Sequence, residues 1–319
     1  FDVNKNKTVC IDEIQRRPGL FQVLRSIIDR DRRNGQLLIL GSASPDLIRQ
    51  SSESLAGRIS YIELTPFTFT EVNQTLTVDL FSSWFHGGFP DSVLVDDQEI
   101  AYRWRENYIR SFIERDIPQL GKNINSTILQ QLLVMLSHNQ GQLLNCSKLA
   151  ASLGVSHNSI RNYVELFEHA YIVRLLRPYF CNVKKRLVRS PKVYVRDSGL
   201  LHTLLGISDF NGLMGNPVYG FSWEGFVIEN ILCELPDWKS SFYRTSNEAE
   251  IDLIIEKGGK KIAIECKASK APIISKGFWN SLEDIDVDEA YIIAPVDSPY
   301  PVKQGVTVVN VQNFLKSIK

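Results

Sequence analysis

A short apolar run, Val9-Cys10-Ile11, ends in two adjacent carboxylates, Asp12 and Glu13, and this junction constrains the amino-terminal part of the chain more than any other feature. Such a run reads as a strand of a parallel sheet covered on both faces, and ligands of these sheets lie beyond the carboxyl ends of the strands. Two acids at that end suit phosphoryl transfer: Asp12 would hold Mg²⁺ through water, and Glu13 would orient or deprotonate the attacking water. A strand followed by a polar turn is the simpler alternative. The flanking residues favour the first reading. Pro18 fits a first helical turn, Leu20, Phe21, Leu24, Ile27 and Ile28 recur at helical spacing, and Gly35 allows a turn into a second apolar run at residues 36–40. Strand, helix and strand then make one crossover, with Gly41-Ser42-Ala43-Ser44 beside the acid pair. A third strand is expected over residues 59–64. Arg58 precedes it, with a planar, permanently charged fork that could neutralise a transferring phosphoryl group or form an internal ion pair.

Residues 9–15, 41–45, 55–58 and 64–67 together resemble the AAA+ ATP-binding proteins of bacteria and archaea that carry a C-terminal domain of unknown function, and the resemblance covers most of the chain. It implies Asp12 and Glu13 as Walker B acids, Ser42 as the sensor and Arg58 as the arginine finger, with ATP and Mg²⁺ as cofactors of the intact protein. A finger acting in trans would require a homo-oligomer. No G-x-x-x-x-G-K-[ST] phosphate loop occurs in the 319 residues, and the Gly121-Lys122 and Gly259-Lys260 pairs lack its other positions. In the family that loop precedes Walker B. The chain therefore reads as a truncated P-loop NTPase that should not hydrolyse ATP alone, because acids without backbone N–H groups around the phosphates repel a nucleotide.

The 36 basic and 36 acidic residues balance, so contact with a polyanion has to come from local patches. No apolar run reaches about 18 residues, so no membrane partner is expected. The five cysteines (Cys10, Cys146, Cys181, Cys233, Cys266) are scattered without C-x-x-C spacing, which favours reduced thiols in a cytoplasmic protein.

Helices are expected from residue 67 to 126, as a lid: one over 69–80, another over 82–85, a break at His86-Gly87-Gly88-Phe89-Pro90, and a longer one over 99–117. The break and residues 108–117 also resemble the family. His86 reads as a turn histidine, and Arg103, Arg105, Arg110 and Arg115 as a solvated face paired with Glu106, Glu114 and Asp116. Residues 127–195 read as a winged helix-turn-helix. Ile128, Leu129, Leu132, Leu133 and Leu136 form an apolar face; Gly154 stops a helix over 148–153; and the next helix packs Ile160, Tyr163, Val164 and Phe167 while presenting His157, Asn158, Arg161 and Asn162. Residues 171–176 and 184–188 would form the wing. Lys184-Lys185-Arg186, followed by Arg189 and Lys192, is the densest basic patch. Such cations strengthen DNA binding by releasing counterions, so DNA is the expected partner, contacted through Arg161, Lys184, Lys185 and Arg186. A module that only packs domains together is the alternative. Asp197 reads as a helix cap.

The last part, residues 196–319, carries a second constellation. Two strands flank Gly258-Gly259 and read as a hairpin in which paired residue numbers sum to 517. Asp252 then lies opposite Glu265 and Glu250 opposite Lys267, all on one face. Facing carboxylates repel unless a proton or cation lies between them, and a divalent metal such as Mg²⁺ or Mn²⁺ suits oxygen ligands. Lys267 could orient a water or stabilise developing charge. Asp252 with Glu265-Cys266-Lys267, and Glu224 upstream on a helix, resembles the PD-(D/E)XK nuclease core. That resemblance implies Asp252 and Glu265 as metal ligands and Glu224 and Lys267 as further catalytic residues. Glu248 and Glu250 crowd the site with negative charge, and members of that fold often serve as binding modules.

The expected fold class is thus α/β. A truncated P-loop NTPase sheet (1–66) is followed by a helical lid (67–126), a winged helix-turn-helix (127–195) and a restriction-endonuclease-like domain (196–319). The expected function is an ATPase that couples ATP binding and hydrolysis, in the intact protein, to DNA binding or processing through its tail. The alternative is a non-catalytic tail that binds DNA or protein.

Overall fold

The computed structural model describes residues 7–17, 19–41, 54–119, 125–180, 187–246, 249–303 and 305–318. The chain divides into two compact units, Phe1–Leu64 with Glu165–Tyr171, and Thr65–Val164 with Ile172–Lys319.

In the first unit, β1 (Val9–Ile11) pairs in parallel with β2 (Leu37–Ile39), and α1 (Leu20–Arg30) connects them. Parallel neighbours need such a crossover. Phe21 and Leu24 of α1 are buried with Ile14 and Leu55 against Ile11, Leu37 and Ile39, which fixes the helix on one face of the strand pair. The expected third strand does not form. Residues 59–64 are assigned to no strand, and Ile62 and Leu64 are 88% and 96% exposed. Apolar alternation makes a strand only where its backbone groups find a ladder, and none of the described residues supplies one here.

The second unit begins with α2 (Phe69–Leu76) and α3 (Leu80–His86). These replace the single helix expected over 69–80, because Thr77 is left-handed (φ 55°) and Asp79 caps the second helix. α4 (Gln98–Ser111) continues into a π-helical stretch, Phe112–Asp116. Gly87 and Gly88 allow close approach: the Gly88 amide donates to Asp197 at 2.7 Å, and a Cβ on Gly88 would lie 2.1 Å from the Phe67 carbonyl oxygen.

Next come α5 (Ser126–His138), β3 (Gln142–Leu143), α6 (Cys146–Leu153), α7 (His157–His169, counted with the first unit from Glu165 on), β4 (Val173–Leu176) and β5 (Lys192–Val195), with a three-stranded antiparallel sheet in the order β3-β5-β4. α8 (Ser198–Leu204), capped by Asp197, packs against α3 and α4. That packing corrects the reading of Arg105, which is fully buried and donates to Ser92 Oγ at 2.7 Å and Thr203 Oγ1 at 2.8 Å.

The rest of the unit is α9 (Tyr219–Glu234) and a six-stranded mixed sheet, ordered β10-β11-β9-β8-β7-β6. Its strands are β6 (Lys239–Arg244), β7 (Glu250–Lys257), β8 (Lys260–Cys266), β9 (Glu289–Ile293), β10 (Tyr300–Lys303) and β11 (Val306–Val309). β6, β7 and β8 form an antiparallel meander, whereas β8, β9 and β11 are parallel. α10 (Lys276–Asp284) lies in the β8–β9 connection and α11 (Val311–Ile318) ends the chain. Trp223, Val227 and Ile231 of α9 share one core with Leu253, Ile255, Ile262 and Ile264, while Phe278 of α10 shares another with Ile254, Ala263 and Ile292. The two faces of the hairpin thus feed two cores, as strand alternation requires. No helix among the described residues is long and apolar enough to cross a membrane.

Candidate functional site

The hairpin has the expected register. Leu253 pairs with Ile264 and Lys257 with Lys260, across Gly258 and Gly259, which take φ of 60° and 88°. This brings Asp252 beside the end of β8, where its Oδ2 accepts from the Cys266 amide at 2.9 Å. Glu265 Oε1 accepts from Lys267 Nζ at 2.7 Å, while Glu265 Oε2 is buried without a partner. Asp252 and Glu265 are 8% and 5% exposed.

Glu224 arrives from α9, held close by Gly225, where a Cβ would lie 2.4 Å from Gln140 Nε2. Its Oε1 accepts from Tyr194 Oη at 2.6 Å and from Lys192 Nζ at 2.8 Å. The same Lys192 Nζ lies 2.6 Å from Glu250 Oε1 and 3.4 Å from Asp252 Oδ1. Lys192 thus brings an ammonium from β5 into the middle of three carboxylates.

Burial and the neighbouring Asp252 charge push the Glu224 carboxyl up to about 7, against the opposing pull of Lys192. The same two causes push Glu265 well above its ordinary range despite Lys267. Burial opposes the charge on Lys192, but Glu224, Tyr194, Asp252 and Glu250 together hold its ammonium protonated far above the usual lysine range. Acids outnumber their close cations here, so the cluster keeps protons on carboxylates rather than losing them from lysine.

This overturns the placement of Lys192 in the expected DNA-facing patch, because the residue is 1% exposed. Its buried charge is balanced by the three acids that converge on its ammonium. The sequence carried a faint signal of it: a lysine inside the strand Lys192-Val193-Tyr194-Val195 is costly unless paired. Tyr194, on the same side of β5, was missed for the same reason. Among the described residues no group of three or more His, Cys, Asp or Glu side chains is set to hold a metal ion.

Other expected residues are dispersed. Asp12 and Glu13 follow β1 and are exposed; Glu13 is left-handed (φ 52°), its amide donates to Asp12 Oδ1 at 2.9 Å, and its carboxylate lies 3.6 Å from Arg16. Arg58 takes the internal pairing left open above, donating to Asp29 at 2.7 and 3.1 Å and to the Ala56 carbonyl at 2.9 Å. Arg161 lies on the exposed side of α7 with His157, Asn158 and Asn162. Pro18, Ser42, Lys184, Lys185, Arg186 and Glu248 lie outside the described residues.

Residues 2–73 match a family described as an AAA domain, residues 77–211 a domain of unknown function (DUF8612), and residues 219–314 a second one (DUF4143). The chain is similar to the uncharacterized proteins Rv2008c of Mycobacterium tuberculosis and Mb2031c of Mycobacterium bovis. Each is 40% identical to it over 307 residues, a match that covers 96% of this chain and 69% of the relative. It is also similar to the uncharacterized protein MJ1544 of Methanocaldococcus jannaschii, 24% identical over 313 residues, covering 90% of this chain and 67% of that protein. The chain belongs to the family of the two mycobacterial proteins, and in it an AAA domain is followed by two domains of unknown function.

Proposed function

We propose that this chain is part of an ATP-dependent DNA-binding protein whose C-terminal tail has the PD-(D/E)XK nuclease fold but acts as a binding module. The observation that carries the non-catalytic reading is Lys192, whose ammonium lies within 3.4 Å of Glu224, Glu250 and Asp252. A metal-dependent nuclease needs that space for a cation and its water. The succession α9, β6, β7, β8, α10, β9, with Asp252 and Glu265-Cys266-Lys267 on adjacent strands, supports the fold. The succession α5, β3, α6, α7, β4, β5 supports a winged helix-turn-helix, with α7 presenting Arg161 to DNA.

In the AAA domain, Asp12 and Glu13 stand at the carboxyl end of β1, and as acids they suit the metal and water side of a nucleotide site. Mg²⁺ there would neutralise phosphate charge when a nucleotide is bound. The two residues would hold the hydrated ion and orient water.

The test is DNA affinity in EDTA across a salt series, for the native chain, Arg161→Ala, and a triple alanine variant at Lys184, Lys185 and Arg186. Salt-sensitive affinity that falls in the variants is expected, with a shallower salt slope for the triple change. Absence of DNA binding by the folded chain rejects the proposal. A second reading, a working nuclease, draws on the convergence of Asp252, Glu265 and Lys267 and on the unpartnered Glu265 Oε2. Nicking with Mg²⁺ or Mn²⁺ that is lost in both Asp252→Asn and Glu265→Ala would replace the binding-module reading with that one.

A further inference from the structure

The carboxylate cluster is built for more positive charge than it holds. Glu224, Glu250, Asp252 and Glu265 come together from α9, β7 and β8, against Lys192, Lys267 and Arg244, the last 3.5 Å from Glu250. A primary ammonium offers three donors. Lys192 directs its own toward Glu224, Glu250 and Asp252, and none is left for the fourth acid. That acid, Glu265, keeps Oε2 buried without a partner although the residue is only 5% exposed. A buried, unpartnered carboxylate oxygen is expensive and calls for an occupant. Oxygen-only carboxylate donors select hard divalent cations such as Mg²⁺ and Mn²⁺.

We propose that Lys192 is a tethered stand-in for a divalent cation, so that metal entry into the Glu224, Asp252 and Glu265 cluster and attachment of β5 to α9 through Lys192 exclude one another. The proposal rests on the nuclease-type fold proposed above. A lysine on a strand can be withdrawn by a movement of that strand, whereas a lysine on the site's own hairpin could not. Coupling is therefore reciprocal: whatever pulls β5 from α9 opens the cluster to metal, and metal that enters loosens β5.

The experiment is Mn²⁺ uptake without DNA, followed by the paramagnetic signal of free Mn²⁺, for the native chain, Lys192→Met, and Lys192→Met combined with Asp252→Asn. The expected result is about one Mn²⁺ bound per Lys192→Met chain, no comparable uptake by the native chain, and affinity lowered roughly tenfold or more by the added Asp252→Asn. A folded Lys192→Met chain that binds no more Mn²⁺ than the native one overturns the proposal. So does a native chain that binds Mn²⁺ as tightly as Lys192→Met does, in a manner that depends on Asp252. Should Lys192→Met fail to fold, Lys192→Met with Glu250→Gln removes one charge of each sign, keeps Glu224, Asp252 and Glu265, and is judged by the same titration. DNA affinity in EDTA reports on the proposed function alone, so Mn²⁺ uptake by Lys192→Met without DNA binding would reject that function and leave the stand-in role intact.

Discussion

Glu224 and Glu229 lie on the same helix, the first buried and the second partly buried, and both meet cations from the same three-stranded sheet, yet they settle at opposite ends of the carboxylate range. Burial would raise Glu229, but Arg174 and Arg196 outweigh it and hold the carboxyl at about 2. Arg174 grips it with a fork, Nε to Oε2 at 2.6 Å and Nη2 to Oε1 at 2.9 Å, and Arg196 Nε donates to Oε1 as well. Glu224 shares its lysine with two other acids and rises to about 7. Two arginines converge on Glu229, whereas three acids converge on Lys192. Guanidinium groups cannot shed protons to relieve crowding, whereas carboxyls can take them up, so the first joint is rigid and the second adjusts.

The largest expected effect comes from Glu229→Ala, which removes the carboxylate that Arg174 and Arg196 share. Denaturant unfolding should show a loss of about 3–5 kcal/mol. Lys192→Met should cost less, about 2 kcal/mol by the same measurement, because the acids it abandons can bind protons in response. A cost equal to that of Glu229→Ala would break the distinction between the two joints.

The pH dependence sharpens the comparison. With its folded value depressed from 4.5 to about 2, Glu229 contributes stability that is present above pH 4.5 and lost as pH falls toward 2, up to about 3 kcal/mol. Glu224 acts in the other direction. Its folded value is raised from 4.5 to about 7, so the native state holds a proton that the unfolded state has released, and stability falls as pH rises through that window. Glu224→Gln should flatten the slope between pH 4.5 and 7 and leave the acid limb in place; an unchanged slope would assign the proton elsewhere in the cluster. Arg58→Ala should have the smallest effect. It removes a solvent-facing pair with Asp29, and only a slight drop in melting temperature is expected.

The hairpin was legible because its register is a local matter. Gly258 and Gly259 accept the positive φ of a two-residue turn, and counting outward from them gives the ladder from Lys257–Lys260 to Leu253–Ile264, next to Asp252 and Glu265. The parallel pairing of β1 and β2 was legible for a similar reason, since two apolar runs joined by an amphipathic helix have one simple arrangement. Lys192 was legible only as a costly lysine within a strand, and its partners were not. It follows a basic stretch and looks like part of it, but its partners Glu224 and Asp252 are 32 and 60 residues away. Arg105 misled in the same manner, as one arginine among several on α4 until Ser92 and Thr203 are folded against it. Long-range burial of a charge depends on which acids and hydroxyls arrive, and residue spacing does not encode that.

β5 begins at Lys192 and is followed directly by Arg196, so its two ends are tied to α9 through the two joints, and in the sheet it lies between β3 and β4. A force along its length loads both ion clusters in parallel, and the strand resists as a stiff rod in shear. A force that lifts one end breaks them in series, one cluster at a time. From the Lys192 end the adjustable joint yields first, which gives the strand a preferred direction of peeling.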